Sequence, residues 1–248
     1  MLISVKETSS HGLDAITCEN CSLFQLCLPM GIAQPDLALL DRVIKRRRTL
    51  RRGEALFVPE QPFRYVYAVR SGSIKTYAPM HDGPHQITGF HLPGELLGLD
   101  AINEGIHGCG AVALETSSVC ELPLDKLEEL GGIVTSMQRQ MMRIMSRQIL
   151  HDQGLQVLLC RKNAEQRLAA FLANLAMRFK QRGFSAQEFN LSMSRSDIGN
   201  YLGLAKETVS RVFTRFHEDR IAVITLKHVR LSDLPRLSVL AGLEPLAE

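Results

Sequence analysis

Residues 132–159 read GIVTSMQRQMMRIMSRQILHDQGLQVLL, and the organisation of the chain follows from them. The run contains no proline and reads as one long helix, Gly132 to Leu159, with two apolar stripes. Met137, Met141, Ile144, Leu155 and Leu158 recur at three-and-four spacing, which puts them on one face that would pack on the helix's own domain. Met142, Met145, Ile149, Asp152, Gln156 and Leu159 keep the alternating steps of a coiled-coil seam, by which two identical helices pack about a two-fold axis. Asp152 interrupts that seam. A carboxylate there meets its own copy across the axis, and two like charges losing water together oppose association. The stripe therefore predicts a weak homodimer that can be switched. The alternative is a seam that ends before a solvated Asp152.

The rest of the composition is that of an ordinary globular protein: 248 residues, 45% hydrophobic and 22% charged, enough for one large or two ordinary domains with real cores. No apolar run is long enough to cross a bilayer, and Met1 to Asp14 is polar rather than a basic segment followed by an apolar one, so the chain is expected in the cytoplasm. Charge is uneven. Residues 1–160 hold 15 Lys and Arg against 17 Asp and Glu, and residues 161–248 hold 14 against 9. A basic C-terminal part is the electrostatic footprint of a nucleic-acid binder.

Ahead of the long helix, Gln34 to Ile44 is helix-like, and the basic run Lys45 to Arg48 with Arg51 and Arg52 reads as a solvated face. From Leu50 the period changes. Ala55 to Val58, Tyr65 to Ser71, Ser73 to Tyr77, Gln86 to Leu92, Ala111 to Leu114 and Ser118 to Leu122 are rich in β-branched and aromatic residues. Gly53, Gly72, Gly83, Gly94 and Gly105 punctuate them, the pattern of a small β-barrel or jelly roll. Asp125 to Leu130 predicts a short helix.

Beyond the long helix, Ala164 to Gln181 carries Leu168, Phe171, Leu172, Leu175 and Phe179 on one face, and Gly183 ends it. Ser194-Arg-Ser-Asp197 is a capping box that starts another helix. That helix runs to Leu202, breaks at Gly203 and restarts near Ala205. Gly199 allows close approach, Gly203 takes the turn, and Ile198, Leu202, Leu204 and Val209 fill the angle between the helices, which is the helix-turn-helix pattern. The second helix would enter a DNA major groove. Glu207, Ser210 and Arg211 share a face as an acceptor for cytosine, a hydroxyl and a guanidinium that can fork onto guanine, and Lys206 stands beside them. Arg195, Thr208 and Arg215 are better placed for phosphates. Val223 to Leu231 alternates like a β-hairpin wing, with Lys227 and Arg230 near its turn.

Cys18, Cys21 and Cys27 lie within ten residues among loop formers. In a reducing compartment such a group points to metal ligation or redox sensing before disulfides, and by itself suits structural zinc and an iron–sulfur cluster equally.

Several segments together resemble the fumarate and nitrate reductase regulator (FNR) branch of the cyclic-AMP receptor protein superfamily, over nearly the whole chain. They are Cys18-x2-Cys21-x5-Cys27, Gln86-Ile-Thr-Gly-Phe-His-Leu-Pro-Gly94, Glu115-Thr-Ser-Ser-Val-Cys-Glu-Leu-Pro123, Gln140-Met-Met-Arg143, Asp197-Ile-Gly-Asn-Tyr-Leu-Gly203 and Glu207-Thr-Val-Ser-Arg211. The resemblance implies an α+β protein: a cysteine-rich cluster-binding arm over 1–30, a β-roll (jelly-roll, cyclic-nucleotide-binding-like) sensor domain over 31–131, a dimerisation helix over 132–160 and a winged helix-turn-helix DNA-binding domain over 161–248. It implies an oxygen-responsive regulator rather than an enzyme. A [4Fe–4S] cluster would be held by Cys18, Cys21, Cys27 and Cys120, dimerisation would follow cluster binding, and inverted TTGAT repeats would be bound to control anaerobic genes. RNA polymerase contacts would lie at Gly83, Thr116, Phe184 and Ser185.

The sequence departs from the superfamily in two places. Members that bind cyclic AMP hold its phosphate with an Arg-Ser or Arg-Thr pair, whereas His107 to Ala111 here has no Arg or Lys. Lys206 replaces the small apolar residue usual in the FNR branch, so it can add a guanine or phosphate contact. Cys109 is an alternative fourth ligand, and Cys160 reads as a packed thiol. Other readings are a structural zinc site on the same thiolates, a disulfide-forming thiol sensor, and a cupin-type enzyme, which His81, His85 and His91 lack the spacing to make.

Overall fold

A computed structural model describes residues 17–30, 32, 34–80 and 83–243. Helix α1 (Gln34–Val43) leads into strands β1 (Lys45–Leu50), β2 (Ala55–Phe57), β3 (Tyr65–Ser71), β4 (Ile74–Ala78), β5 (Gln86–His91) and β6 (Leu96–Leu97). A single 3-10 turn (Leu99–Ala101) precedes β7 (Gly110–Ala113) and β8 (Ser117–Pro123). Two antiparallel four-stranded sheets result, in the orders β1-β8-β3-β6 and β2-β7-β4-β5. Their facing surfaces enclose Leu50, Phe57, Tyr67, Val69, Ile74, Ala111 and Val119. Alternation does the rest: Val66 and Ala68, one step out of phase with Tyr67 and Val69, point to the opposite face and form a second core. This is the α+β β-roll expected. The basic run adds a strand that its sequence does not suggest: it forms β1, an edge strand paired with β8, and Arg51 and Arg52 beyond it are exposed. Charged residues suit an edge, where they discourage pairing with other chains, and the charge conceals the strand period.

The second core joins Leu28 and Ile32 of the cysteine loop, Leu37 and Leu40 of α1, Leu122 of β8 and Leu127 and Leu130 of α2 (Leu124–Ile133) to Val134 and Met137. The long helix α3 (Thr135–Arg161) begins three residues later than expected. Gly132 and Ile133 end α2 instead, and Val134, buried in an extended conformation, separates the two axes. The glycine pair Gly131-Gly132 weakens helix there, and the amide of Val134 closes α2 on the carbonyl of Leu130 at 2.7 Å. The inner stripe divides between two cores. Met137, Met141 and Ile144 pack on the sensor side, and Leu155 and Leu158 on the C-terminal side.

The C-terminal part consists of α4 (Ala164–Gln181), β9 (Glu188–Asn190), α5 (Arg195–Leu202), α6 (Lys206–Glu218), the wing strands β10 (Ala222–Thr225) and β11 (His228–Leu231), and α7 (Leu234–Ala241). Its sheet runs β10-β11-β9, so the wing has a third strand that the sequence did not announce. Its core also contains Ile87, Phe90 and Leu92 of the sensor domain, with Leu114 after β7. Phe90 packs edge-on against both Phe171 and Tyr201. The β4–β5 hairpin is thus part of two domains at once.

Candidate functional site

Cys18, Cys21 and Cys27 sit on a chain of tight turns, in which the amide of Cys21 donates to the carbonyl of Cys18, Phe24 to Cys21, and Cys27 to Leu23. The amide of Cys18 donates to Asp41 Oδ1 at 2.9 Å, tying the loop to α1. Cys120 belongs to β8, the strand between β1 and β3, with Arg46 and Ala68 as its cross-strand partners. The four cysteines line one cavity of about 40 Å³ with Leu23, Phe24, Leu28, Ile44, Ala68, Leu122 and Arg70. Burial pushes the Cys27 thiol up to about 12, against a backbone hydrogen bond at Leu28, and nearby Cys120 and Cys21 add to the rise. An apolar wall favours neutral thiols until a cation is present to take the thiolates. Soft sulfur donors in an apolar enclosure are the chemistry that holds iron–sulfur clusters, so these residues fit one. They do not converge on one point: among the described residues no group of three His, Cys, Asp or Glu side chains could hold a single metal ion.

The remaining cysteines stand elsewhere. Cys109 packs beside the core between the sheets and lies 3.3 Å from Asp100. Burial, with the Asp100 charge, lifts its thiol to about 12. Cys160 was expected to be packed and is exposed instead, at the far end of α3 from the sensor core. Of the histidines, His85 lies tilted against the Tyr77 ring, His91 is half-buried beside Thr76, and His81 lies outside the described residues. His107, in the stretch compared with a phosphate-binding site, fills the space between Phe57 and Phe63.

The helix pair is built as its sequence requires. Ser194 Oγ accepts from the amide of Asp197, and Asp197 accepts from the amide of Ser194. Gly203 takes a left-handed φ of 64°. A Cβ on Gly199 would lie 2.6 Å from the carbonyl oxygen of Leu204, so only glycine fits. On α6, Val209, Val212, Phe213 and Phe216 are buried, leaving Lys206, Glu207 and Arg211 exposed and Ser210 and Thr208 half-exposed on the outer face. Arg195 donates to Ser210 Oγ at 3.2 Å and lies over the Phe213 ring, Arg211 reaches Thr208 Oγ1 at 3.4 Å, and Arg215 pairs with Glu165 at 3.3 Å. Such contacts, at or near the surface, are weak.

On α3, Met142 and Ile149 of the outer stripe are 68% and 57% exposed in the single chain. Leu150 and Val157 are equally exposed and widen the apolar strip beyond the six seam positions. Asp152 accepts a hydrogen bond from Gln148 Nε2 at 2.9 Å and lies 3.4 Å from His151. Thr116, Phe184, Ser185 and Gly83 are all exposed, and Ser185 Oγ accepts from the amides of Gln187 and Glu188.

Sequence reasoning missed the contacts that join sensor and DNA-binding domains. Asn200 Oδ1 accepts from the amide of Ile87 at 2.6 Å, Asn200 Nδ2 donates to the carbonyl of His85 at 3.0 Å, and Gln86 donates to the carbonyl of Asn200 at 2.7 Å. Lys75 pairs with Asp197 at 2.6 Å, so the capping residue of α5 also holds β4. Glu95 accepts from Arg178 at 2.5 Å and from Arg182 at 2.6 Å. Such polar residues resemble solvated surface until the partner domain is in place.

Comparison with known proteins matches residues 47–131 to the cyclic nucleotide-binding domain and residues 166–240 to the Crp-like helix-turn-helix domain. The transcriptional activator protein Anr of Pseudomonas protegens is 51% identical over 91% of this chain and 92% of its own length. The fumarate and nitrate reduction regulatory protein of Escherichia coli is 47% identical over 96% of this chain and 95% of its own. Among solved structures, FixK2 of Bradyrhizobium japonicum superposes with a TM-score of 0.69 at 30% identity, covering 82% of this chain and 98% of that one.

Proposed function

The chain belongs to the Crp/FNR family of transcription factors, and from that premise we propose that it is an oxygen-responsive transcription regulator carrying a [4Fe–4S] cluster. The observation that supports this reading most is the cavity shared by Cys18, Cys21, Cys27 and Cys120, with Cys109 and Cys160 outside it. Those four side chains would hold the cluster as thiolates. When bound it supplies an oxygen-labile tie between the N-terminal loop and β8. Thiols that surround a void suit such a cluster better than one zinc ion.

The chain's own residues would carry the signal. The core beneath the cysteines also contains Val134 and Met137, so the packing of the loop bears on the root of α3. From there Met142, Met145, Ile149, Asp152 and Gln156 would meet their copies in a homodimer, which places two recognition helices on inverted TTGAT half-sites. Glu207, Ser210, Arg211 and Lys206 would read bases, and Arg195, Thr208 and Arg215 would bind phosphates. Gly83, Thr116, Phe184 and Ser185 would contact RNA polymerase, activating or repressing according to operator position. A regulator of this kind works in the cytoplasm, and among the described residues no helix is long and apolar enough to cross a membrane.

The test is iron, acid-labile sulfide and the visible spectrum of protein purified without oxygen, before and after air. About four iron and four sulfide per chain, bleached by air and lost in Cys120→Ser but retained in Cys109→Ser, is expected. Zinc without colour, or a single iron, would overturn the reading.

A further inference from the structure

Both strands beside β8 slip by one residue just past Cys120, β1 between Cys120 and Val119 and β3 between Val119 and Ser118. Arg46 pairs with Cys120 and Arg48 with the next residue, Val119, which leaves Arg47 as the extra residue in β1. On the other side Val69 pairs with Val119 and Ser71 with Ser118, which leaves Arg70 as the extra residue in β3. Cys120 is therefore flanked by two β-bulges, and each inserts an arginine. A bulge interrupts pairing and re-aims a side chain, which is why bulges gather beside functional sites.

Arg70 is half-buried and is the one charged residue among the described residues that line the cysteine cavity. Its guanidinium has no acidic partner among the described residues, unlike Arg48, which pairs with Glu121, or Arg178 and Arg182, which share Glu95. A guanidinium at the edge of an apolar cavity, with no acidic partner among the described residues, is free to face an anion held there. Four thiolates around an iron–sulfur core carry net negative charge, and the cavity wall offers no other charge to balance it.

We propose that Arg70 is the counter-charge of the four-cysteine site, a positioning residue that stabilises the thiolates of a bound cluster and slows its loss. This rests on the cluster reading above. Removing the charge raises the free energy of the loaded site and leaves the empty site unaffected.

The experiment compares full-length wild type, Arg70→Gln and Arg70→Lys, loaded without oxygen, by iron and sulfide content and by the rate of cluster loss to an iron chelator under argon. Arg70→Gln should lose its cluster about tenfold faster, Arg70→Lys should restore most of the difference, and the thermal midpoints of the three cluster-free proteins should coincide. Equal loss rates in wild type and Arg70→Gln overturn the role of Arg70 while the cluster reading stands. Fast loss in Arg70→Lys as well, or a lower midpoint in cluster-free Arg70→Gln, reduces the residue to a structural role. Wild type without iron or sulfide overturns both.

Discussion

Replacing Glu95 by alanine removes the one acceptor shared by two guanidinium groups at the junction of the domains. Arg178 Nε and Nη2 and Arg182 Nη2 all donate to it, and the amide of Leu92 donates to it at 3.1 Å. The side chain of Arg182 is only 4% exposed and that of Arg178 17%, so neither cation can turn to bulk water in place. Breaking a buried pair from one side costs about 3–5 kcal/mol, and because Glu95 is itself 28% exposed the lower end applies, about 3 kcal/mol. For a chain of this size that lowers the thermal midpoint by roughly 6–12 °C. The assay is thermal and urea unfolding of wild type, Glu95→Ala, Arg182→Ala and the double variant. Non-additivity of about 1 kcal/mol or more is expected, since the residues share one network. A midpoint within about 2 °C of wild type, or strictly additive losses, would refute the argument. The same pair sets an acid limit. Burial would raise the Glu95 carboxyl, but the charge of Arg178, its hydrogen bond and Arg182 overcome that and hold it below the ordinary value. Its contribution is therefore complete above the unfolded value of about 4.3 and is lost as pH falls below it. His91, lowered by desolvation to about 4, acts in the same direction: the unfolded chain takes up its proton between about 6.5 and 4 while the folded chain does not. Wild type should weaken below about pH 6.5, and Glu95→Ala should lose less of its remaining stability below pH 4.3.

Asp152→Ala should strengthen the dimer at least about tenfold in air, measured by sedimentation, and a variant that remains monomeric would show that the charge is not what opposes assembly. Gly199→Ala forces a Cβ against the carbonyl of Leu204 and should cost about 1–3 kcal/mol, with operator binding lost in gel shifts at temperatures where wild type still binds. Arg211→Ala should weaken binding to an inverted TTGAT duplex by about 1–3 kcal/mol and relax preference at one base pair, whereas Lys206→Ala, if that residue touches phosphate, should weaken all sequences alike and flatten the salt dependence. Thr116→Ala and Ser185→Ala should lower transcription in a reconstituted assay while operator affinity stays unchanged, and a parallel loss of affinity would remove them from the polymerase surface.

Legibility differed sharply between elements. The capping box at Ser194 and the Gly199–Gly203 pair follow from local geometry that few residues satisfy, so α5 and α6 were readable almost to the residue. The strands from Ala55 to Leu122 were readable because one face of each is apolar. β1 was not, since four successive basic residues conceal an edge strand whose last member, Leu50, is wholly buried. The break at Val134 follows the glycine pair Gly131-Gly132, a local signal that the continuous apolar period of the long helix masks. Spacing alone groups Cys18, Cys21 and Cys27, but only strand register brings Cys120 to the same cavity and Arg70 beside it. Glu95, Asn200 and Lys75 could not be picked out, because a residue that clamps one domain to another has the same composition as one facing water.

The core that the β4–β5 hairpin shares with α4 and α5 bears on how the polypeptide is made. Ribosomal synthesis completes the β-roll while Leu168 to Ala241 are still unmade, so Ile87, Phe90, Leu92 and Leu114 have nothing to cover them. At about 5–20 residues per second that interval lasts on the order of ten seconds. During it the nascent β-roll presents a greasy patch attractive to chaperones, and truncations ending near Arg161 should be sticky and poorly soluble. The two halves mature together, and the C-terminal half serves its N-terminal neighbour as a folding partner before it meets any DNA.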